Sequence, residues 1–472
     1  MAQTVNPRPI PKVISEIVSR DLCIGCGACA PVCPSKALRM AWSANGLYQP
    51  QPAENACAGC GACLRVCPFA SGLSSEADLP DEDVLAEDLT SIPSSRHDTN
   101  LGHYLSLHAG YATAFREFGS SGGTATWALS RLLEAGDVDA VFALAAVENR
   151  QDTHFDYLAC RSADEVRAAA RTRYYPSKLD QVIEFALNNE GRYALVALPC
   201  AIKALRLAQR MHPVLRERIV FVVGVFCGGL KTRYYTEYLA AAAGCRHEQV
   251  FSPEYRIKNP GSAADDYAFG CRDANGTPHT IRMRVLGDMW GTGLFKANAC
   301  DYCDDLSSEL ADISVGDAWI PPYTADGMGT SIVAIRSAKA AALFDSGIRN
   351  GELVLEPLSA EQVNTSQRGN INHRRRGLAY RLLLARRRGD RVPVKRVRSA
   401  RPLNPIFALI QRLRMRVRRL SHEAWLAQRE RPGTDIYDCI MKKDLSRLHS
   451  ITRFSYRLGG LVHWLKSRLQ AF

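Results

Sequence analysis

Two runs of cysteine near the N-terminus constrain this 472-residue chain more than any other feature. The first reads Cys23-x2-Cys26-x2-Cys29-x3-Cys33-Pro34 and the second Cys57-x2-Cys60-x2-Cys63-x3-Cys67-Pro68. This C-x2-C-x2-C-x3-C-P spacing is the bacterial iron–sulfur run, in which the fourth Cys ligates the other cluster. One [4Fe–4S] cluster would take Cys23, Cys26, Cys29 and Cys67; the second would take Cys57, Cys60, Cys63 and Cys33. Glycines between the ligands let the backbone wrap tightly around each cluster. Two complete copies of one spacing do not suit a disulfide framework. A zinc site needs only four ligands, with wider separation between its pairs. The segment is therefore expected to carry single electrons.

Length adds that one core is not enough: 472 residues call for two or three domains. No apolar run reaches the length of a membrane span, and the longest, Ile219 to Phe226, is a strand's length. The opening residues MAQTVNPRPIPK lack a secretory apolar region. With 16 Cys and no such signal, the expected compartment is a reducing cytoplasm, where thiolates stay available for metal. The net charge of +12 is unevenly spread. Residues 371–472 hold 26 Lys and Arg against 6 Asp and Glu, and the remainder 34 against 42. The basicity belongs to one tail.

In chain order, residues 1–17 form a Pro-containing arm and residues 18–72 the two-cluster module. Its halves are an internal repeat, each with a Cys run followed by a short helix such as Pro34 to Leu38. Residues 73–99 are acidic and Ser/Pro-rich (Glu76, Asp78, Asp81, Glu82, Asp83, Glu87, Asp88) and read as a linker. From residue 100 to 375 the pattern is α/β. Ser120-Ser121-Gly122-Gly123 introduces a helix from Thr124 to Ala135, stopped by Gly136. Val138 to Val147, Tyr193 to Leu198 and Arg218 to Phe226 read as strands, and so do the shorter Ile281 to Val285, Ile313 to Val315 and Ser331 to Ile335. Helices are expected from Pro199 to Gln209, Lys231 to Ala243 and Ala338 to Ser346. Such alternation implies a parallel or mixed sheet covered on both faces. Residues 376–472 read as a basic helical tail.

Four further Cys fall at element ends: Cys200, Cys227 and the C-x2-C pair Cys300 and Cys303. Strand ends gather at one edge of an α/β sheet, so these thiols can converge. Two readings stay open from spacing alone. One is a third iron–sulfur cluster; the other is two structural Cys beside an unrelated C-x2-C. Cys160, Cys245, Cys271 and Cys439 read as small core or surface residues. Ser120, Ser121, Gly122, Gly123 and Thr124 at a helix start are a candidate phosphate cradle, with a plain capping turn as the alternative. Arg167, Arg171, Arg173 and Lys178 surround Tyr174-Tyr175 and face either an anionic cofactor or water. Gly291-Thr292-Gly293 marks a loop, and the 11 His show no metal spacing.

Several blocks together carry a resemblance. They are Gly110-Tyr111-Ala112, Ser121-Gly122-Gly123, Ala197 to Leu205 around Pro199-Cys200, Phe226-Cys227-Gly228-Gly229, and Cys300-x2-Cys303 followed by Ala311 to Trp319. In order and spacing this set resembles the coenzyme F420 hydrogenase/dehydrogenase beta-subunit family, from about residue 18 to about residue 375. One block differs: where many members have Gly-Ser-Lys-Tyr, this chain has Arg171-Thr172-Arg173-Tyr174-Tyr175. The resemblance implies an α+β or α/β multidomain chain: a small bacterial-ferredoxin-like domain, then a mixed-sheet α/β flavoprotein domain, then the basic helical tail outside the match. It implies a third [4Fe–4S] cluster on Cys200, Cys227, Cys300 and Cys303, and FAD near Ser120 to Thr124. Similar proteins pass electrons between their clusters and a two-electron partner, a deazaflavin in archaeal enzymes and a tetrapyrrole in chlorophyll reductases.

The expected function is an iron–sulfur flavoprotein oxidoreductase in which FAD pairs electrons for a substrate or a deazaflavin-type coenzyme. Asp317 and Lys178 are the candidate catalytic groups. The alternatives are a non-catalytic electron-transfer subunit and an accessory protein of surface-polysaccharide synthesis. Expected partners are a ferredoxin or another redox subunit, and a small-molecule substrate. In the tail, Phe407, Ile410, Leu413, Val417 and Leu420 recur at three or four with Arg412, Arg414, Arg416, Arg418 and Arg419 on the flanks. A second segment, Ile451 to Phe472, mixes Phe454, Leu458, Leu461, Trp464 and Leu469 with Arg and Lys. Such helices either cap the α/β domain or lie on an acidic partner or an anionic membrane surface, here the inner face. No nucleic-acid recognition motif is present.

Overall fold

The computed structural model describes residues 9–75, 77–87, 95–147, 152–402 and 404–469, with side chains up to 458. Glu76, Asp88, the start of the arm, and Leu461, Trp464 and Leu469 as side chains lie outside the described residues.

An eight-stranded mixed sheet organises the chain. Its strands are β1 Ser106–Ala112, β2 Ala140–Ala146, β3 Phe155–Cys160, β4 Tyr193–Ala197, β5 Ile219–Val225, β6 Ile313–Asp317, β7 Ser331–Ile335 and β8 Leu353–Pro357. Their spatial order is β8-β1-β7-β6-β5-β4-β2-β3. The middle four, β6, β5, β4 and β2, run parallel. Antiparallel strands flank them on both sides. The parallel strands are almost wholly apolar because both of their faces are covered, as at Phe221, Val222 and Val223. Three helices follow strand ends or lead into strands: α1 Thr124–Glu134, α2 Pro199–Met211 and α3 Arg233–Ala242. Pro199 opens α2, where its missing N–H costs nothing. A separate three-stranded antiparallel sheet, Phe251–Ile257, Ala268–Arg272 and Pro278–Arg282, covers one side.

The ferredoxin-like module shares a core with this domain. Ile17, Ile24, Leu64 and Phe69 of the module pack in one apolar cluster with Leu179, Ile183, Ala204 and Leu205. Backbone bonds tie the two, from Leu179 N to Cys26 O at 2.7 Å and from Arg233 N to Gly46 O at 2.9 Å.

The structure departs from the sequence reading at several places. Pro34 to Ala37 form a turn with Lys36 at φ 47°, and Leu38 begins a strand, so no helix follows the first Cys run. The strand expected from Ile281 ends at Arg282, and Met283–Leu286 is a helical turn. The acidic stretch read as a linker contains the helix Glu82–Glu87, with Leu85 and Ala86 buried and Glu82 paired to Lys203 at 3.0 Å. Local composition had hidden one apolar face in a run of carboxylates.

The basic tail is helical: α4 Leu378–Arg387, α5 Pro405–Gln428 and α6 Asp435–Leu469. Its apolar stripe packs inward, with Leu413, Val417 and Trp425 buried against Tyr235, Tyr238 and Phe295. Trp425 Nε1 donates to Glu237 Oε2 at 2.9 Å, and Arg429 pairs with both oxygens of the same carboxylate. Among the described residues no helix is long and apolar enough to cross a membrane.

Candidate functional site

The local backbone of the ferredoxin-like module is built for wrapping. Gly25, Gly27, Gly59 and Gly61 between the cysteines all have φ near +70 to +79°. A side chain at Gly25 would also strike the Tyr48 carbonyl at 2.5 Å. Cys23, Cys26, Cys29 and Cys67 come together as the first set. Burial pushes Cys23 up to about 12 and Cys26 up to about 11. Cys29 rises well above the usual thiol range by burial and by repulsion from Cys26, Cys23 and Cys67. Cys63 is raised by burial and faces Cys33 and Cys57, which marks the second set. Cys60 is exposed.

Cys200, Cys227, Cys300 and Cys303 also converge. Cys200 sits at the second residue of α2, Cys227 two residues beyond β5, and the pair on the helical turn Asn298–Tyr302 and its exit. Burial raises Cys200 well above the usual thiol range, and Cys303, Cys227 and Cys300 add repulsion. The charge of Cys26 in the first ferredoxin set adds a smaller repulsion to the same thiol. None of the 16 cysteines is in a disulfide. Among the described residues no three Cys, His, Asp or Glu side chains are close enough to hold a single metal ion. Four thiols gathered without His or carboxylate among them are the ligand type of an iron–sulfur cluster. Buried thiols disfavour ionisation until such a cationic core binds them.

The surroundings of the third set fit a buried anion. On the Cys300 side, Lys231, Lys296, Arg374 and Arg381 are buried, with the half-buried Arg414 and Arg418 beside them. Asp301 answers Lys296 at 2.8 Å and Arg418 at 2.9 Å. Arg374 Nη1 and Arg414 Nε are buried with no hydrogen-bond partner. Buried cations are costly unless opposite charge meets them, and a cubane held by four thiolates is net anionic. On the Cys303 side the charges balance: Lys395 with Asp304 at 3.2 Å and Arg396 with Glu309 at 2.8 Å.

A cavity of about 290 Å³ opens at the carboxyl ends of β2, β4, β5 and β6. That is where ligands bind in sheets of this kind. Its floor includes Cys227-Gly228-Gly229, so the third thiol set forms part of its wall. The start of α1 faces it. Gly123 has φ 75°, and a side chain on Gly122 would lie 2.4 Å from the Gly110 carbonyl. Ser121 Oγ and Thr124 Oγ1 are buried without partners, although both residues line the cavity. Ser120 Oγ instead accepts from Thr172 N at 2.8 Å. A helix start with bare amides and orphaned hydroxyls is a fit for a phosphate group.

These arrangements can be set beside known proteins. Two sequence models of the coenzyme F420 hydrogenase/dehydrogenase beta-subunit family match, one for the N-terminal part at residues 107–184 and one for the C-terminal part at residues 190–361. The chain belongs to this family. A "4Fe-4S dicluster domain" matches residues 22–71. Among curated proteins, a component subunit of the F(420)H(2) dehydrogenase from Methanosarcina mazei is 22% identical over 379 residues, 77% of this chain and 94% of that one. A "Coenzyme F420 hydrogenase subunit beta" from Methanothermobacter thermautotrophicus is 23% identical over 59% of this chain and 98% of its own length. A "Coenzyme F420-dependent sulfite reductase" from Methanocaldococcus jannaschii is 24% identical over 74% of this chain and 49% of its own length. A solved chain of the F420-reducing [NiFe] hydrogenase complex from Methanosarcina barkeri matches at 19% identity over 59% of this chain and 92% of that one, with a TM-score of 0.46.

Within this family member, the cavity collects only part of what sequence reasoning assigned to it. Asp317 lines it, gripped by Arg256 through two bonds of 2.6 and 2.9 Å. Arg171 and Arg173 line it too. Arg171, at φ 86°, is paired with Glu254, and Arg173 lies 5.0 Å from the Phe155 ring. Arg167 stacks on Phe115 and pairs with Asp164 outside it. Lys178 does not line the cavity. It is buried beside Gly27 of the ferredoxin-like module, bonded to Asp180 at 2.9 Å and 5.7 Å from the Tyr48 ring. Cys160, Cys245 and Cys271 are buried and Cys439 is exposed.

Lys231, Arg256 and Trp290 also line the cavity, unforeseen. Lys231 is buried, donates to Met289 O at 2.8 Å and Leu294 O at 2.6 Å, and lies 4.5 Å from the Trp290 ring. Burial pulls its ammonium down to about 7. Lys258 donates to Ser121 O at 2.8 Å, and burial with Arg116 and Arg256 nearby lowers it to about 8. Lys231 follows Cys227-Gly228-Gly229 by two residues, a signal in plain view. Arg256 on the separate sheet and Lys258 just past the end of the same strand have none.

Proposed function

We propose that this chain is an iron–sulfur flavoprotein subunit that conducts electrons between a one-electron carrier and a two-electron acceptor or donor. The observation that carries the reading is the order of the thiol sets: Cys26 of the first ferredoxin set and Cys200 pack against one shared core, and Cys227 of the same set as Cys200 lines the cavity. The ligand assignment is Cys23, Cys26, Cys29 and Cys67 for one [4Fe–4S] cluster, Cys33, Cys57, Cys60 and Cys63 for another, and Cys200, Cys227, Cys300 and Cys303 for a third.

The cavity would hold FAD. Ser121, Thr124 and the bare amides of α1 would take its diphosphate, Arg173 would neutralise charge, and Tyr174 and Trp290 supply apolar faces. Bound there, a flavin supplies the exchange between one- and two-electron chemistry. The protein's own groups position and exclude water. Arg256 fixes Asp317 at the cavity edge, where that carboxylate can accept a hydrogen bond from substrate or ring. Lys178 serves at the seam between module and sheet instead, fixed by Asp180. The names of the relatives point to coenzyme F420 as the two-electron partner. Residues 18–72 and 100–375 would act as the functional units, with 376–472 as a cap.

The test is anaerobic purification of the full chain. About twelve irons by the cubane stoichiometry, a flavin released on denaturation, and flavin reoxidation by F420 are expected. Iron without bound or bindable flavin would overturn the flavoprotein reading. A second reading then remains: an electron-transfer subunit without substrate chemistry, which the naming of two relatives as subunits favours.

A further inference from the structure

We infer that Arg374 donates a hydrogen bond from its free Nη1 to the third iron–sulfur cluster and raises that cluster's reduction potential, so that electrons collect beside the cavity. The inference rests on the ligand set proposed above. Arg374 is 2% exposed and lies on a single wide helical turn, His373–Gly377, between Arg368–Asn372 and α4. Such turns hold an extra residue and often occur at functional positions. Here the turn directs two successive arginines inward. Arg375 Nη1 donates to Asp304 O at 2.8 Å. Arg374 Nε donates to Asp305 O at 3.0 Å, and its Nη2 donates to Cys227 O.

Both acceptors of Arg374 are carbonyls of the ligand segments, one of Cys227 itself and one of Asp305, two residues past Cys303. The guanidinium is thereby locked in place beside Cys303, Cys227 and Cys300, the charges that act on it most strongly. Its remaining Nη1 is buried without a partner. A buried unsatisfied donor is costly, and a fixed fork loses little freedom on making one more bond. A cluster sulfur or cysteinyl sulfur between those thiols is the acceptor that the surroundings offer. A positive charge and a hydrogen bond both favour the more negative, reduced state, and hydrogen bonds to sulfur are among the factors that set such potentials. Transfer from the ferredoxin sets to the Cys200 set moves one electron and no atom, so a raised potential on the Cys200 side favours that direction. The residue lies beyond the segment that the family match covers, which ends at residue 361.

The experiment is EPR-monitored potentiometric titration of the anaerobic full chain, using Cys303→Ala to identify the third signal by difference. In Arg374→Gln the third cluster should be about tenfold less reduced at a given poise, or about 59 mV lower for a one-electron couple. The two module clusters should not move. An unchanged third midpoint with iron retained overturns the inference and leaves the ligand set standing. If Arg374→Gln loses iron, Arg374→Lys decides, since it keeps the charge without the fork: a lowered midpoint supports the hydrogen bond and a wild-type midpoint overturns it. Wild-type protein with only two cluster signals overturns the ligand set and this inference together.

Discussion

In the ferredoxin-like module the cysteines come from two contiguous runs, glycines at positive φ bend the chain around them, and Cys60 is exposed. At the third set the cysteines come from three separated stretches, and Lys296, Arg374 and Arg381 close over them from as far away as the C-terminal helices. The first arrangement is carried by local sequence and stays open to a partner at its surface. The second exists only once the sheet, the Asn298–Tyr302 turn and the tail have come together. The contrast teaches that a part of the tail's basicity is turned to the interior, at Arg374 and Arg381 above all, while most of its Lys and Arg face water. Arg396 is held by Glu309 and Asp83, Lys395 by Asp304, and Arg418 by Asp301.

The sharpest way to break this contrast is Cys303→Ala. It should remove one third of the iron and leave the module's share, read by iron and sulfide analysis. Equal iron in variant and wild type would remove the third set from the account. Next is Arg396→Met, which takes from the buried Glu309 its close partner at 2.8 Å. Breaking a buried pair costs about 3–5 kcal/mol, so the denaturation midpoint should drop strongly, whereas the exposed Arg419→Met should leave it nearly unchanged.

Smaller effects probe the cavity. Ser121→Ala removes a hydroxyl that has no partner in the protein. Apoprotein stability should hold, while flavin affinity falls by the worth of one hydrogen bond, about 0.5–1.5 kcal/mol, measured by calorimetry. No loss of affinity would place the diphosphate elsewhere. The smallest effect is a pH dependence at Lys258. In the folded apoprotein it releases its proton near 8, against about 10.4 in an unfolded chain. Between those values the unfolded state binds more protons, so the Lys258 contribution to stability rises with pH. Affinity for an anionic cofactor should move the other way, weakening as pH passes 8. Lys258→Gln should lack that inflection.

The twin Cys runs were legible because their ligands are adjacent in sequence and their spacing has one well-known use. Thr124–Glu134 and Pro199–Met211 were legible from a glycine turn and an N-terminal proline. The antiparallel strands β1, β3 and β8 were not, since residues such as Gly110 and Glu356 break any apolar run and sheet partners far away decide the pairing. Charge counts misled in two places. They made Glu82–Glu87 a linker and left the tail's docking open, because composition does not show which carboxylate a buried arginine will meet. Lys178 looked like a cofactor residue by its neighbours in sequence, but the turn before residue 180 points it at the ferredoxin-like module. Arg374 carries no local signal at all, and only the closed fold brings it to Cys227.

The central claim is that electrons reach the cavity through the Cys200 set. It is tested most directly by stopped-flow reduction of the flavin-loaded full chain and of Cys200→Ala with a reduced viologen or ferredoxin, following cluster and flavin absorbance separately. The account predicts that the module clusters of Cys200→Ala are reduced at the wild-type rate while flavin reduction slows by orders of magnitude. Flavin reduction at the wild-type rate in Cys200→Ala would contradict it.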